Sequence, residues 1–351
     1  MSGDYEKNDS LAPQHGGENP SHTISTKARL LWELRKKQGP VSGNLLAKEL
    51  GLSRVAVWKA AQTLINAGYK IEASETGYFL DPKSEKDFLF PWEFLEKEPL
   101  FRHHDITDST MDRAREAADQ GAPSGTVIIA EKQSLGRGRN GRAWISRQGG
   151  LFFTLLDRPS LSISDYPLYS LILQIATAQS LSAICGKQAF LRWPNDIYID
   201  GRKIAGVMTE ISGEGDLINW ITGGIGVNVN NYALSGKTTS CAEITGREVS
   251  RKEVLLKIFD EIEKLKKQFA PDAAYSQGNR ALAAEWNSLS CKIGAAAAIV
   301  DETSLPGKER VLARGVFDGI DPGGRAILKT VGAEGGQSFL YFSPGPASMV
   351  F

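Results

Sequence analysis

The chain has 351 residues, with 41 Lys/Arg balanced against 41 Asp/Glu, 41% apolar residues and 23% charged ones. At roughly 100–200 residues per domain this length accommodates two or three folded units, and the composition excludes a disordered chain, a coiled coil and a collagen-like fibre. A net charge of zero argues against a surface that is basic all over for nucleic acid, but leaves room for one basic module in a neutral protein.

Residues 1–25 have neither an apolar core nor a basic start, so they read as a disordered tail rather than a signal peptide. Apolar periodicity begins with Ala28, Leu30, Leu31 and Leu34, a first helix stopped by Gly39-Pro40. Leu45, Leu46 and Leu50 mark a second, closed by Gly51. Ser53 is placed to cap a third helix, 53–67, whose Val57, Ala61, Leu64 and Ile65 form an apolar stripe. Tyr69–Ile71 and Tyr78–Leu80 then flank a turn at Ser74–Gly77, a short hairpin. Three helices followed by a two-stranded wing describe a winged helix-turn-helix over 26–83 with the third helix as reader. Over residues 24–83 ten Lys/Arg stand against five Asp/Glu, a net +5, the electrostatic footprint of a DNA-binding module. Arg54, Val55, Trp58, Lys59 and Gln62 are expected to be free to meet DNA.

Asp81-Pro82-Lys83-Ser84-Glu85 reads as a linker into a mixed α/β region, 84–289. Its expected elements are a helix over Ser109–Gln120 capped by Asp108 or Ser109, and strands at Thr126–Glu131 and Leu151–Leu156. A buried helix follows at Tyr166–Cys185, too polar and short for a membrane span. Strands at Ile197–Ile199 and Ile204–Met208 join through Asp200-Gly201. Strands Ile218–Thr222 and Val227–Val229 are expected to flank a glycine cluster, with a long amphipathic helix at Arg251–Phe269. No regular βαβ alternation appears, which favours a mixed or antiparallel sheet over a doubly wound one. The last stretch, 290–351, holds only strand-like pieces at Ala297–Val300, Val311–Asp318, Ala326–Thr330 and Ser338–Phe342, a small β-barrel. Cys185, Cys241 and Cys291 have no CxxC spacing. They fit a reducing cytoplasm rather than a disulfide framework or a zinc site, and no metal ligands stand out.

Three segments carry chemistry. Gly136-Arg137-Gly138-Arg139-Asn140-Gly141-Arg142 satisfies G-x-G-x-x-G, but the following Ala143–Gly150 is no helix, so the dinucleotide fingerprint lacks its helix N-terminus. Three arginines among glycines suit a segment that closes on phosphate. Arg192-Trp193-Pro194-Asn195-Asp196 precedes a hairpin carrying Lys203, whose small neighbours Ala205-Gly206 leave room for an anion, although a lysine at a strand end can equally just reach solvent. In Gly223–Asn230 the glycines permit close backbone approach, and Asn228 offers a donor and an acceptor to a purine edge; a simple bulge is the plainer reading.

GRGRNGRAW, RWPNDIYIDGRKIAG and GGIGVNVN, in this order behind a winged helix, together with Asp108-Ser109-Thr110 and Ala130-Glu131-Lys132-Gln133, resemble the bifunctional bacterial biotin–protein ligases that double as biotin operon repressors. The resemblance covers about residues 26–330. It implies a winged helix-turn-helix, a central mixed α/β ligase domain of the biotin/lipoate type and a small SH3-like β-barrel. It implies ATP- and Mg2+-dependent formation of biotinyl-5′-AMP and transfer of biotin to a lysine of the biotin carboxyl carrier protein of acetyl-CoA carboxylase. It also implies operator DNA as a partner, a homodimer, a cytoplasmic location and no membrane. Carried over by motif, Ser109, Thr110 and Gln133 hold the biotin ureido ring with the 137–139 backbone, and Trp144 and Gly206 wall the pocket. Arg137, Arg139 and Arg142 belong to a loop ordering over biotin and adenylate; Lys203 meets the carboxylate and α-phosphate, Asp196 lies near the reacting carboxyl, and Asn228 meets the adenine. The catalytic set is thus Lys203, Arg139 and Asp196. Asn140 stands where some members carry another arginine, which implies a less charged loop, and the Ser343–Pro346 ending departs from the family's last strand. A lipoate ligase and a sensor without transfer activity are the competing readings.

Overall fold

The computed structural model describes residues 24–84, 87–232, 236–268, 275–301, 310–331, 336–343 and 347–351. The tail up to residue 23, Glu85 of the linker, Phe269 and most of the Ser343–Pro346 ending lie outside them.

Helices α1 (Thr26–Lys36), α2 (Gly43–Leu50) and α3 (Arg54–Asn66) precede the wing, β1 (Ile71–Ser74) with β2 (Gly77–Leu80). Each helix starts on a serine: Ser25, Ser42 and Ser53 accept hydrogen bonds from the amides of Ala28, Leu45 and Ala56, satisfying donors that have no partner within the helix. Gly51 ends α2 in the left-handed conformation, φ 63°. Leu30, Leu31, Leu46, Val57 and Leu64 are fully buried, whereas Ile65, expected on the apolar stripe, is half-buried. The linker's Pro82–Ser84 forms a short 3-10 turn.

The central part is a seven-stranded sheet in the order β3-β4-β5-β9-β8-β7-β6. Its strands are β3 (Phe101–Thr107), β4 (Thr126–Gln133), β5 (Leu151–Asp157), β6 (Phe190–Arg192), β7 (Asp196–Ile199), β8 (Arg202–Glu214) and β9 (Leu217–Val227). Helix α4 (Thr110–Asp119) joins β3 to β4, which are parallel; the other neighbours are antiparallel. Asp200 and Gly201, at φ 52° and 73°, make the tight two-residue turn between β7 and β8.

The glycine cluster does not interrupt a strand as expected: β9 runs unbroken through Gly223, Gly224 and Gly226. Other residues occupy the space their side chains would need. A Cβ on Gly223 would collide with Leu173, one on Gly224 would lie 2.5 Å from Met111 Sδ, and one on Gly226 2.6 Å from the Trp144 ring. Helix α5 (Tyr166–Cys185) is long and apolar enough to cross a membrane, yet Leu173, Ile175, Ala176 and Leu181 are fully buried in the core. A helix apolar all round, enclosed like this, is a core element. Helices α6 (Cys241–Thr245), α7 (Arg251–Gln268) and α8 (Tyr275–Ser288) complete this part, α5 packing against α7 and α8.

Strands β10 (Ala296–Asp301), β11 (Arg310–Ile320), β12 (Ala326–Val331), β13 (Gln337–Phe342) and β14 (Ala347–Val350) form an antiparallel five-stranded sheet, β13-β12-β11-β10-β14, consistent with a small SH3-like unit. β14 has no counterpart in the sequence reading. Phe317 packs edge-on against Trp286, and Trp193 Nε1 donates to the Gly324 carbonyl at 3.2 Å, fastening this sheet to the central part.

The helical N-terminal unit is fastened by a buried acid. Glu93 accepts both guanidinium nitrogens of Arg35 at 2.9 and 3.0 Å, the Tyr69 hydroxyl at 2.5 Å and Lys252 Nζ at 2.6 Å. Burial alone would raise its pKa, but Arg35 and Lys252 overcome that and hold it below the ordinary glutamate value. Burial and the Glu93 carboxylate both push the Tyr69 hydroxyl up.

Candidate functional site

A cavity of about 450 Å3 opens where α4, β4, the 136–144 loop, the β7–β8 hairpin, β9 and β14 converge, a size that suits a small organic ligand. Ser109, Thr110, Gln133, Arg137, Arg139, Arg142, Trp144, Asp196, Lys203 and Gly206, predicted from scattered parts of the chain, all line it.

Ser109 is the N-cap of α4, accepting from the Met111 amide. Asp108 braces the same turn, accepting from the Ser109 amide at 2.7 Å and from Arg113 at 2.9 Å. The Ser109 amide bond, with help from Thr107 and Arg113, holds the Asp108 carboxyl below its usual range. Gln133 Oε1 accepts from the amide and hydroxyl of Thr110 at 2.8 and 3.1 Å, and its Nε2 donates to Ser146 at 2.7 Å. Thr154 donates to the Thr110 hydroxyl at 2.9 Å. Ser109, Thr110, Ser146 and Thr154 are buried and Gln133 is half-buried, and their mutual bonds fix a wall that can present hydrogen bonds to a ligand. Ser146 and Thr154 escaped the sequence reading because neither belongs to a motif.

Among the described residues no helix follows the glycine-arginine loop. It is instead a small hairpin: Trp144 N donates to Gly136 O at 2.8 Å and Gly138 N to Arg142 O at 2.7 Å. Its tip is the consecutive pair Asn140 and Gly141, both left-handed at φ 54° and 72°. Asn accepts that conformation far more readily than other side-chain-bearing residues, which supplies a backbone reason for Asn140. Arg139 Nη2 reaches the Ala347 carbonyl at 3.3 Å, so β14 helps seat the loop.

The Trp144 ring lies over Gly206 and Gly226, where a Cβ would come within 3.1 and 2.6 Å of it. Lys203 Nζ is 2.6 Å from Asp196 Oδ1 and 5.1 Å from the centre of that ring. Lys203 is half-buried rather than buried, its side chain 27% exposed, because the end of β8 faces the cavity and not the core. Arg192 and Tyr198 stand beside this pair, the Arg192 guanidinium 5.4 Å from the tyrosine ring centre. Burial, then the nearby Asp196 carboxylate, raises the Tyr198 hydroxyl above its ordinary value.

Asn228 departs from the expectation. It is buried, its carboxamide oxygen accepts from Asn231 Nδ2 at 2.8 Å, and it is not among the described residues that line the cavity. Residues 228–231 close a turn after β9, with Cys241 N donating to Asn228 O, so the asparagine is spent on local architecture.

On α3, Arg54, Val55, Trp58, Lys59 and Gln62 are exposed, Val55 by 60% and Trp58 by 55%. Exposed large apolar side chains beside cations form a face that can meet a nucleic acid groove. Among the described residues no group of three or more His, Cys, Asp or Glu gathers as a metal site.

Residues 104–230 match the Biotin/lipoate A/B protein ligase family, and residues 26–79 match an HTH domain. The chain is 36% identical over 248 residues to the bifunctional ligase/repressor BirA of Bacillus subtilis, covering 66% of this chain and 75% of that protein. It is 31% identical over 205 residues to BirA of Escherichia coli, covering 54% and 59%. Among solved structures, the biotin protein ligase of Aquifex aeolicus in complex with biotin and ATP matches with a TM-score of 0.56 at 26% identity, over 71% of this chain and 98% of that one.

Proposed function

The chain belongs to the biotin–protein ligase family, in its bifunctional ligase/repressor branch, and from that premise we propose that it is a biotin–[acetyl-CoA-carboxylase] ligase and a biotin-responsive repressor. It activates biotin with ATP and transfers it to a lysine of the biotin carboxyl carrier protein. Residues 26–83 bind operator DNA, 84–289 carry the ligase chemistry and 290–351 support its cavity. The observation that carries the reading is the convergence of the arginine loop and the Lys203–Asp196 pair on one cavity floored by glycine and Trp144.

The chemistry asks for charge control more than for proton transfer. The biotin carboxylate is already a nucleophile. Its oxygen bonds to the α-phosphorus of ATP, and the bond to the β-phosphate bridging oxygen breaks with its electrons leaving on pyrophosphate. Lys203 holds the carboxylate and the α-phosphate, where negative charge crowds, and Arg139 and Arg142 add charge-assisted donors. Ser109, Thr110 and Gln133 fix the ureido ring, so that the reacting oxygen is delivered in position. The closed loop keeps water from the mixed anhydride. A neutral carrier lysine then attacks the acyl carbon, the bond to the AMP oxygen breaks, and the amine gives up its proton. Asp196 keeps Lys203 aimed at the reacting centre throughout. Magnesium would accompany ATP as the counter-ion of its phosphates.

The exposed edge of β3, with Ile106 67% exposed, supports a homodimer. Free Cys185, Cys241 and Cys291 support work in the cytoplasm.

The test is incubation of the purified chain with biotin, ATP·Mg and a carrier domain, followed by mass spectrometry. A gain of one biotin on the carrier lysine is expected. Incorporation of lipoate alone would select a lipoate ligase, and operator binding without any transfer would leave a sensor.

A further inference from the structure

The hydrogen bonds inside the 136–144 hairpin close the loop on itself, and Arg139 reaches β14. A tie to α4 and β8 is supplied by Arg137. Its Nη2 lies 2.6 Å from Asp112 Oδ1 and 3.7 Å from Glu210 Oε1. Arg115 uses the same two acids, with Nη2 at 2.9 Å from Asp112 Oδ1 and 3.2 Å from Glu210 Oε2. Two cations and two anions thus alternate around one ring.

The placement of the acids is what makes this ring consequential. Asp112 lies in the first turn of α4, just after Ser109 and Thr110, and Glu210 lies on β8, the strand that carries Lys203. The clamp therefore joins the loop to the two elements that bear the opposing walls. All four side chains are between 28% and 42% exposed, so each pair is solvated and weak. Weak ties suit a segment that must open for entry and exit; a buried ion pair would lock it. Arg115 and Arg137 share Asp112 Oδ1, so the two cations compete for one acceptor.

We propose that Asp112 and Glu210 are positioning residues that clamp the loop shut through Arg137, and that Arg115 sets how readily the clamp releases. The consequence for catalysis rests on the ligase reading: a looser clamp lets the reactive adenylate escape before the carrier arrives.

The experiment uses the full chain and two readouts. Hydrogen exchange over 136–144, recorded without substrates, reports loop opening. Filter-trapped release of biotinyl-5′-AMP, recorded with biotin and ATP·Mg, reports escape. Asp112→Asn is expected to speed both about threefold to fivefold, the size that one or two exposed ion pairs permit, and Asp112→Glu to restore them. Arg115→Ala is expected to slow both by a similar factor, an opposite sign that mere loss of helix stability would not produce. Glu210→Gln repeats the Asp112→Asn test from β8, should the α4 variant melt early. Wild-type rates in both Asp112→Asn and Glu210→Gln, or acceleration in Arg115→Ala, would overturn the proposal. Should the wild type form no adenylate, the ligase reading falls, and the exchange rates alone still decide the clamp.

Discussion

Replacing Lys203 by alanine separates a structural lysine from a catalytic one by magnitude. Its partner Asp196 sits 2.6 Å away, with side chains 27% and 25% exposed. Water reaches both groups, so the pair contributes about 0–1 kcal/mol to folding, and the Asp196 left behind remains hydrated. The ammonium's value for charge developing at the α-phosphate is larger. Removing one preorganised donor from such a site costs about 100- to 1,000-fold, or roughly 3–4 kcal/mol. Lys203→Ala should therefore shift the melting temperature by no more than a few degrees while pyrophosphate release falls by two to three orders of magnitude. Stopped-flow detection of pyrophosphate, paired with a calorimetric melt, measures both. Normal pyrophosphate release in a folded Lys203→Ala protein would refute the reasoning, and so would a rate loss fully matched by lost stability.

Other substitutions test the remaining parts. Gly226→Ala brings a Cβ to 2.6 Å from the Trp144 ring, well inside the ~3.5–4.0 Å of a relaxed carbon contact; overpacking of about 1–3 kcal/mol should push Trp144 aside and weaken biotin binding at least about tenfold, read by titration calorimetry. Glu93, with its pKa held below the ordinary 4.5, stabilises the junction fully above that value and loses its contribution as pH falls through its lower folded value. Acid should therefore loosen the junction between the winged helix and α7, and the Glu93→Gln melt should change less than the wild-type melt as the pH is lowered below 4.5. Trp58→Ala, removing a 55% exposed ring, should leave the folding stability within about 0.5 kcal/mol of wild type yet weaken operator binding in a gel-shift titration.

Much of the fold was legible because its signals are local. The Ser53 cap, Gly51 and the Asp200-Gly201 turn act over two to four residues, and each formed where the spacing placed it. The loop's refusal to start a helix was equally local, written in Ala143–Gly150. Where reading failed, the cause lay elsewhere in the chain. Gly223–Gly226 looked like a break because glycine is a poor strand former. Here it is required, since Leu173, Met111 and Trp144 fill the space above the strand. Asn228 looked like a free reader of a ligand until Asn231 took its oxygen. β14 carries only four residues and earns its place by pairing with β10.

The amino-acid sequence by itself determined many of the helices and strands, where the positive charge collects and which residue types could handle an anion. Periodicity, capping and composition are properties of neighbours along the chain, so no partner had to be known. Only the tertiary structure decided which charges meet. Lys252 reaches Glu93 across the chain to fasten the winged helix, and Arg137 finds Asp112 and Glu210 rather than one another's like charges. Such pairings depend on how the sheet and helices stack, and the same net neutrality would have permitted many others. The zero sum of charge and its basic N-terminal module are therefore properties of the sequence, and the ion pairs around Glu93 and Arg137 belong to the fold.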